Sequence, residues 1–430
     1  MTRQLAACSG RVRRGCGDDN NDTTGGSCAV RRGPGTLPMN NEGVDRIPVE
    51  PNISADYFER ERDAIFKQVW LKVGRIEEVA DSGDFFVRDL SVLNASIIIV
   101  RGSDGGLRAF HNICRHRGNR LKPICAGRAK TFTCGFHGWA FNVDGDLAHV
   151  PLEEQFGTLD KASLGLLPVA IDTWQGFIFI NLDPNPSETL ASYLGELTSL
   201  VEGYPFVQMA QSGQWTADIQ SNWKTFQDAF VEAYHVQSVH RRSIPDYHAT
   251  PVPSDLTTFG RHSNLTFYLD FQHSPQPAEA WAFKAGSMAF LQANDADNNA
   301  QPTAKGINRQ SKPNWIFDEF LIFPNFHLFL GEGWMLCHDF WPISVDQTDW
   351  SVSYFLQDVD SPVLKIAQEY SKVTMRDTIR EDLATIESTH SSQRSGALEY
   401  MLVSAALEGL VSHHHRVVDA YVTGNTDFLK

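Results

Sequence analysis

The sequence predicts an α+β protein, a small all-β domain followed by a larger domain of antiparallel sheet and helices. Three observations carry that reading. Between residues 70 and 182, short apolar runs recur at close intervals with turn residues between them, as in a small antiparallel barrel or sandwich. Asp183-Pro-Asn-Pro-Ser187 then reads as a linker. Beyond it, stretches of helical periodicity alternate with strand-like runs. The chain therefore divides into an arm (1–38), a helical lead-in (39–69), the all-β domain (70–182) and the α+β domain (183–430).

Residues 1–38 hold six Arg, three Asp and no aromatic residue. Such a segment cannot bury enough apolar surface to fold alone. It reads as a disordered arm, or as a start placed too early with Met39 the natural first residue. Ser54 is a plausible N-cap for an amphipathic helix whose apolar face is Phe58, Ile65, Phe66 and Val69. Strand-like runs follow at Trp70–Gly74, Phe85–Arg88, Ile97–Val100, Arg108–Phe110, Thr131–Thr133, Trp139–Asn142 and Gly176–Asn181. After the linker, Glu188–Val201 reads as helical, Trp215–Ile219 as a strand, and Trp223 to His240 as a helix. Ile316–Leu330, Leu336–Pro342 and Trp350–Leu356 read as strands of one sheet. Leu364–Ser391 and Ala397–Val422 close the chain as helices.

Two boxes in the all-β region carry the first chemistry. Cys114-Arg-His116-Arg-Gly118 and Cys134-Gly-Phe-His137-Gly138-Trp139 together offer two thiolates and two imidazoles. That is the ligand set of a Rieske [2Fe–2S] centre, in which two His replace two Cys on one iron. A tetrahedral zinc site could use the same four residues. Against zinc, each box gives one Cys and one His, and each His is followed within two residues by glycine. That suits two facing loops whose backbone amides donate to cluster sulfurs.

A second constellation lies in Asn222-Trp-Lys-Thr-Phe-Gln-Asp228-Ala-Phe-Val-Glu232-Ala-Tyr-His235-Val-Gln-Ser-Val-His240. On a helix, 232 and 235 share a face, but 240 requires the helix to loosen or end. Two imidazoles and a carboxylate make the facial set for non-haem Fe(II), which leaves positions open for O2. Taken alone, such a pair is more often a pair of surface or core histidines.

The Cys-x-His…Cys-x2-His boxes, the Asn-Trp-Lys…Glu-Ala-Tyr-His-x4-His stretch and Phe323-Pro-Asn325 resemble the α subunit of Rieske non-haem iron oxygenases, the ring-hydroxylating family. The resemblance runs from about residue 45 to the C-terminus. It implies that His235 and His240 are iron ligands and that the third ligand is Asp382, in Arg380-Glu-Asp-Leu, with Glu381 and Glu387 the competing carboxylates. It also places Glu232 as the carboxylate linking a ligand His to a Rieske His of the neighbouring subunit. Many ring dihydroxylating members have Asp there; Glu also occurs in monooxygenases and demethylases of nitrogen-containing substrates. Asp228 stands where many relatives carry Asn, and either supports the same network or caps a solvated face.

The resemblance further implies a terminal oxygenase with a Rieske [2Fe–2S] cluster and a mononuclear Fe(II). It would use O2 and electrons drawn from NADH or NADPH by a separate reductase, directly or through a ferredoxin. A homotrimer is expected, with or without a small β subunit. No Gly-x-Gly-x-x-Gly follows a strand-like run, so no nicotinamide or flavin site is expected in this chain. A Rieske electron carrier without oxygenase activity is the competing class, but it would end near residue 182, and the roughly 250 residues beyond speak against it.

A charge of −15 argues against nucleic-acid binding. No run approaches the roughly 20 apolar residues of a membrane span, and the N-terminus lacks a secretory core. A cytoplasmic protein is expected. Phe230, Phe267, Phe283, Phe290, Phe320, Phe326, Phe329 and Trp334 are candidate walls of an apolar pocket, hence a hydrophobic, aromatic substrate is expected. Of the seven cysteines, Cys125 and Cys337 read as buried small hydrophobes. His413-His414-His415 reads as a partly exposed helix face, because three consecutive helical residues cannot meet one ion.

Overall fold

The computed structural model describes residues 43–430 except 124, 245–246, 249–254, 269, 272–275, 285–303, 313–314 and 430. The arm 1–38, Met39 and Phe290 lie outside the described residues, as does the side chain of Phe283. Among the described residues, no helix is long and apolar enough to cross a membrane.

Two seven-stranded antiparallel sheets organise the chain. The first runs in the order Leu71–Arg75, Phe177–Asn181, Pro168–Trp174, Leu107–His111, Ala95–Arg101, Asp84–Leu90, Ala126–Arg128. A three-stranded sheet, Thr131–Thr133, Ala140–Asn142 and Leu147–His149, completes this domain. Each strand is short because Gly and Asx turns interrupt it, and the continuous apolar runs Ile97–Val100 and Phe177–Ile180 are buried throughout. Cys125 is exposed rather than buried. It immediately precedes Ala126–Arg128, an edge strand whose three residues are all exposed.

The second sheet runs Met209–Ile219, Gln347–Gln357, Trp334–Ser344, Phe326–Gly331, Trp315–Ile322, His262–Tyr268, Leu256–Phe259. The expected single run 316–330 is two strands, with Phe323-Pro-Asn325 as the turn between them. Trp315–Ile322 and Phe326–Gly331 are buried throughout. The first sheet packs on one side, where Phe177 meets Phe326 at 5.0 Å between centroids. Met375, Ile379 and Ile386 of the Pro362–Gln393 helix share a core cluster with Phe317, Leu321 and Phe329 on the other.

Three helix expectations are corrected. Glu188–Val201 is two short helices, Leu190–Leu194 and Leu197–Leu200, parted at Gly195, which sits at φ +54°. Tyr400–Ser404, inside the expected helix 397–422, is a strand paired with Val44–Pro48, and the helix is Gly409–Thr423. The stretch 223–240 is helical only over Trp223–Asp228 and Val236–Val239. Between them the Glu232 carboxylate accepts from the backbone N–H groups of Tyr234 and His235. A side-chain carboxylate that takes local N–H groups competes with the helix for them.

Candidate metal centres

The two cysteine boxes form matching knuckles. In one, Gly118 N donates to Cys114 O (2.9 Å) and Cys114 N to Asn119 O (2.8 Å); in the other, Gly138 N donates to Cys134 O (3.0 Å) and Cys134 N to Trp139 O (2.8 Å). Each turn closes at a glycine with φ +76°, a conformation that side chains with a Cβ rarely adopt. The thiols of Cys114 and Cys134 are neighbours that influence each other's charge, and the rings of His116 and His137 stand 4.6 Å apart. Asn119 Nδ2 lies 3.5 Å from Cys134 Sγ. His116 stacks on Trp139 at 5.1 Å, and its Nδ1 is buried without a hydrogen-bond partner among the described residues. Two thiols on one side, two rings on the other and a buried unpaired ring nitrogen fit a [2Fe–2S] cluster with Cys on one iron and His on the second. Cys114 and Cys134 are buried; His137 and Phe136 are exposed, so the histidine end of the site is at the surface.

In the second domain, His235, His240 and Asp382 converge. His240 Nε2 is 3.3 Å from His235 Nε2 and 3.3 Å from Asp382 Oδ1, and His235 Nε2 is 3.6 Å from the same oxygen. Ligand atoms about 2.1 Å from one ion, at roughly right to tetrahedral angles, stand about 3.0–3.5 Å apart. The two ring nitrogens turned away from this point are tethered. His235 Nδ1 lies 2.5 Å from Glu232 Oε1, and His240 Nδ1 lies 3.2 Å from Glu381 Oε2, which also accepts from Ser243 Oγ at 2.8 Å. Outer carboxylates of this kind fix the tautomer and orientation of a metal-binding imidazole.

Burial disfavours charge throughout this site. On His235 the Glu232 carboxylate, by charge and hydrogen bond, outweighs burial and raises the pKa to about 9. Burial and the neighbouring His235 push His240 down to about 4. Burial pushes the Asp382 carboxyl up to about 7. Two rings and one carboxylate gathered at such a point suit a divalent cation, whose charge offsets the carboxylate and needs both ring nitrogens unprotonated.

Glu381, a competing ligand in the sequence reading, stands behind His240 instead. Glu387 points away and accepts from Gln220 N at 3.0 Å. Asp228 neither joins the Glu232 contact nor faces solvent. It is half-buried against the histidine tract, with Oδ1 3.1 Å from His414 Nδ1 and Oδ2 2.8 Å from His415 Nε2. Although burial opposes the charge, the two imidazoles hold Asp228 down at about 2. The tract is therefore not a partly exposed face: His413 and His414 are buried, and adjacent rings share one carboxylate rather than one ion.

The triad opens onto a cavity of about 500 Å³, counting its mouth. Helix residues Met375, Thr378 and Ile379 line one wall and the sheet lines the other. Rings from three neighbouring strands form a ladder: Phe267 stacks on Phe317 at 4.8 Å, and Phe317 on Phe329 at 5.0 Å, both pairs within 7° of parallel. Phe230 also lines the cavity. Of the expected walls, Phe320, Phe326 and Trp334 belong to the hydrophobic core instead. Phe317 was not foreseen, though its alternation with the inward Glu319 and Leu321 marks the same sheet face. Glu319 is the unexpected polar member, and His327 Nδ1 meets its Oε1 at 2.8 Å.

Residues 206–424, just over half of the chain, match the family model of the ring-hydroxylating alpha subunit (catalytic domain). The chain belongs to this family. Residues 69–169 of this ring-hydroxylating alpha subunit match the Rieske [2Fe-2S] domain. It is 35% identical over 259 residues to the carnitine monooxygenase oxygenase subunit of Escherichia coli (strain K12), covering 60% of this chain and 66% of that relative, just under two thirds of its length. It is 33% identical over 205 residues to the benzene 1,2-dioxygenase subunit alpha of Pseudomonas putida, covering 45% of this chain and 44% of the relative. Among solved structures, a quaternary ammonium Rieske monooxygenase superposes with a TM-score of 0.70 at 21% identity, over 90% of this chain and 100% of that one. Naphthalene 1,2-dioxygenase gives a TM-score of 0.67 at 21% identity, over 90% and 96%. At that identity the likeness shows the shared fold.

Proposed function

We propose that this chain is the terminal oxygenase of a multicomponent Rieske non-haem iron system, hydroxylating a hydrophobic substrate bound on the phenylalanine ladder. One observation carries it: three ligand atoms converge at the wall of an aromatic cavity and leave the cavity side of that point open. Cys114, His116, Cys134 and His137 hold the cluster, and His235, His240 and Asp382 hold the ferrous ion. When bound, the two centres supply one electron each and a site for O2.

The protein's part is positioning and exclusion. Glu232 and Glu381 fix the two rings so that both Nε2 atoms face Asp382. Phe267, Phe317, Phe329 and Phe230 hold an apolar substrate beside that point and keep water from it. A reductase and NADH belong to this reading, as do a cytoplasmic setting and a multimer in which Glu232 faces a neighbour's cluster.

A second reading is monooxygenation of a cationic nitrogen compound, with oxidation at the carbon beside nitrogen followed by loss of that carbon. It is favoured by Glu at position 232 and by the carnitine monooxygenase relative. Phenylalanine faces accept a quaternary ammonium as well as an arene.

The deciding experiment is analysis of anaerobically purified protein. About three irons and two acid-labile sulfides per chain, with a Rieske-type EPR signal after dithionite, support the oxygenase. Two irons that stay two after ferrous reconstitution sink it. L-Carnitine, γ-butyrobetaine, benzene and naphthalene then separate the readings, by aldehyde or amine release against ring hydroxylation.

A further inference from the structure

Oxygenase chemistry takes up protons, and the metal ligands cannot deliver them while they hold iron. Inserting one atom of O2 into a C–H bond, with two electrons from the reductase, consumes two protons and leaves one water. Adding both atoms across an arene double bond likewise consumes two electrons and two protons. The cavity therefore needs a proton donor under either reading, and its wall contains one acid that is not tied to a ligand histidine.

That acid is Glu319. It lines the cavity and is buried, with Oε1 2.8 Å from Nδ1 of the fully buried His327. Burial raises its carboxyl well above the usual range and lowers His327 well below its own. The acid is thus held protonated against a neutral imidazole. The other nitrogen of that ring, His327 Nε2, is buried without a hydrogen-bond partner among the described residues, and so is His414 Nε2. His327 lies within electrostatic reach of His338, His414 and Asp228, and both ring nitrogens of His338 are likewise buried without a partner among the described residues. Leaving two such nitrogens unsatisfied is costly, and a bridging water is the usual remedy. Beyond His414 the contacts continue: Nδ1 to Asp228 Oδ1 at 3.1 Å, then Asp228 Oδ2 to His415 Nε2 at 2.8 Å. His415 lines a second cavity, with Asp45, Arg46, Ser412, Arg416 and Asp419, and of these Arg46, Arg416 and Asp419 are exposed.

We propose that Glu319 is the proton donor of the substrate cavity and that His327, His414, Asp228 and His415 form the path that reloads it from the surface. Glu319 gives its proton to the oxygen being reduced and becomes a carboxylate. It regains a proton from His327 Nδ1, which is replenished at Nε2 across a water from His414 Nε2. His414 is replenished at Nδ1 from His415 through Asp228, and His415 takes its proton from solvent. Each imidazole thus receives at one nitrogen and releases at the other. Glu319 meets the reacting atoms, whereas the other four act through it. The proposal rests on the oxygenase reading but holds for one or two inserted oxygen atoms.

The test uses full-length holoprotein, reduced with dithionite and mixed with O2 and L-carnitine, γ-butyrobetaine, benzene or naphthalene in a single turnover, in H2O and in D2O. Glu319→Gln is expected to keep its iron and sulfide and to form product about 100-fold more slowly. His414→Ala is expected to slow product at least about tenfold, with a larger solvent isotope effect, and added imidazole is expected to restore the rate. Wild-type rates in both variants overturn the path. So does a slowed His414→Ala of unchanged melting temperature that imidazole does not rescue. Should Glu319→Gln lose iron, the imidazole rescue of His414→Ala decides alone. A wild type that stays at two irons per chain after ferrous reconstitution overturns the oxygenase reading itself, and the path with it.

Discussion

His235 and His240 reach one point from either side of a one-turn helix because each ring is tethered at its far nitrogen. Glu232 holds one and Glu381 the other, and Asp382 completes the set from the long helix. The two carboxylates of Glu381-Asp382 therefore have separate tasks, although they are sequence neighbours. Asp382→Ala removes the proposed carboxylate ligand, so dialysed protein is expected to lose the mononuclear iron while keeping two sulfides and the Rieske visible spectrum. Loss of both spectra would show that the two sites are not independent. Glu381→Gln removes only the charge behind His240. Ferrous affinity is expected to fall about 10- to 100-fold, with the cluster untouched, in an anaerobic iron titration. The two Cys-His knuckles and the approach of His235 to His240 are legible from spacing, because knuckle loops and short-range pairs are local. Glu381 as a tether is not, since its partner is 141 residues away in the chain. Asp228 is likewise decided by His414 and His415, which no local pattern connects to it.

At the level of elements, the strands of the first domain are readable because a half-buried strand alternates with period two and ends in a turn residue. Thr131–Thr133 matches residue for residue, and Phe85–Arg88 lies inside Asp84–Leu90. The failures occur where tertiary partners override a local pattern. Tyr400–Ser404 carries apolar residues that suit a helix, but the backbone of Val44–Pro48 pairs with it. The helix 223–240 breaks because Glu232 takes backbone N–H groups as well as the His235 ring. Another partnership unseen in the sequence joins the two sheets. Lys72 on Leu71–Arg75 donates to both oxygens of Asp339 on Trp334–Ser344, at 2.9 Å each, and both side chains are almost wholly buried. Removing one partner of a buried pair leaves an uncompensated charge. Lys72→Met is expected to destabilise the protein by about 3–5 kcal/mol in chemical denaturation, and Lys72→Met with Asp339→Leu to recover most of that. A single variant as stable as the wild type would mean that water reaches Asp339.

For the whole molecule, what matters is where each centre meets the surface. The cluster's histidine end is exposed at Phe136 and His137, and the iron site approaches solvent beside Tyr234, which is 63% exposed next to the nearly buried Glu232 and His235. Such a pair of surfaces suits a head-to-tail ring, in which the His end of one subunit lies against the Tyr234 side of the next. In that arrangement electrons pass between chains, so a subunit with a dead cluster can be served by its neighbour. His137→Ala disables the cluster, and Asp382→Ala disables the iron site. Neither protein alone is expected to turn over substrate. When the two are co-expressed in equal amounts and assembled at random, an interface works only if an intact cluster faces an intact iron site. One interface in four meets that condition, so about a quarter of wild-type turnover is expected if transfer crosses the interface. If electrons instead passed within one chain, every subunit in the mixture would lack one of its two centres. The mixed assemblies would then be as inactive as their parents. Size-exclusion chromatography of the active fraction reports whether the species restoring turnover is the closed ring.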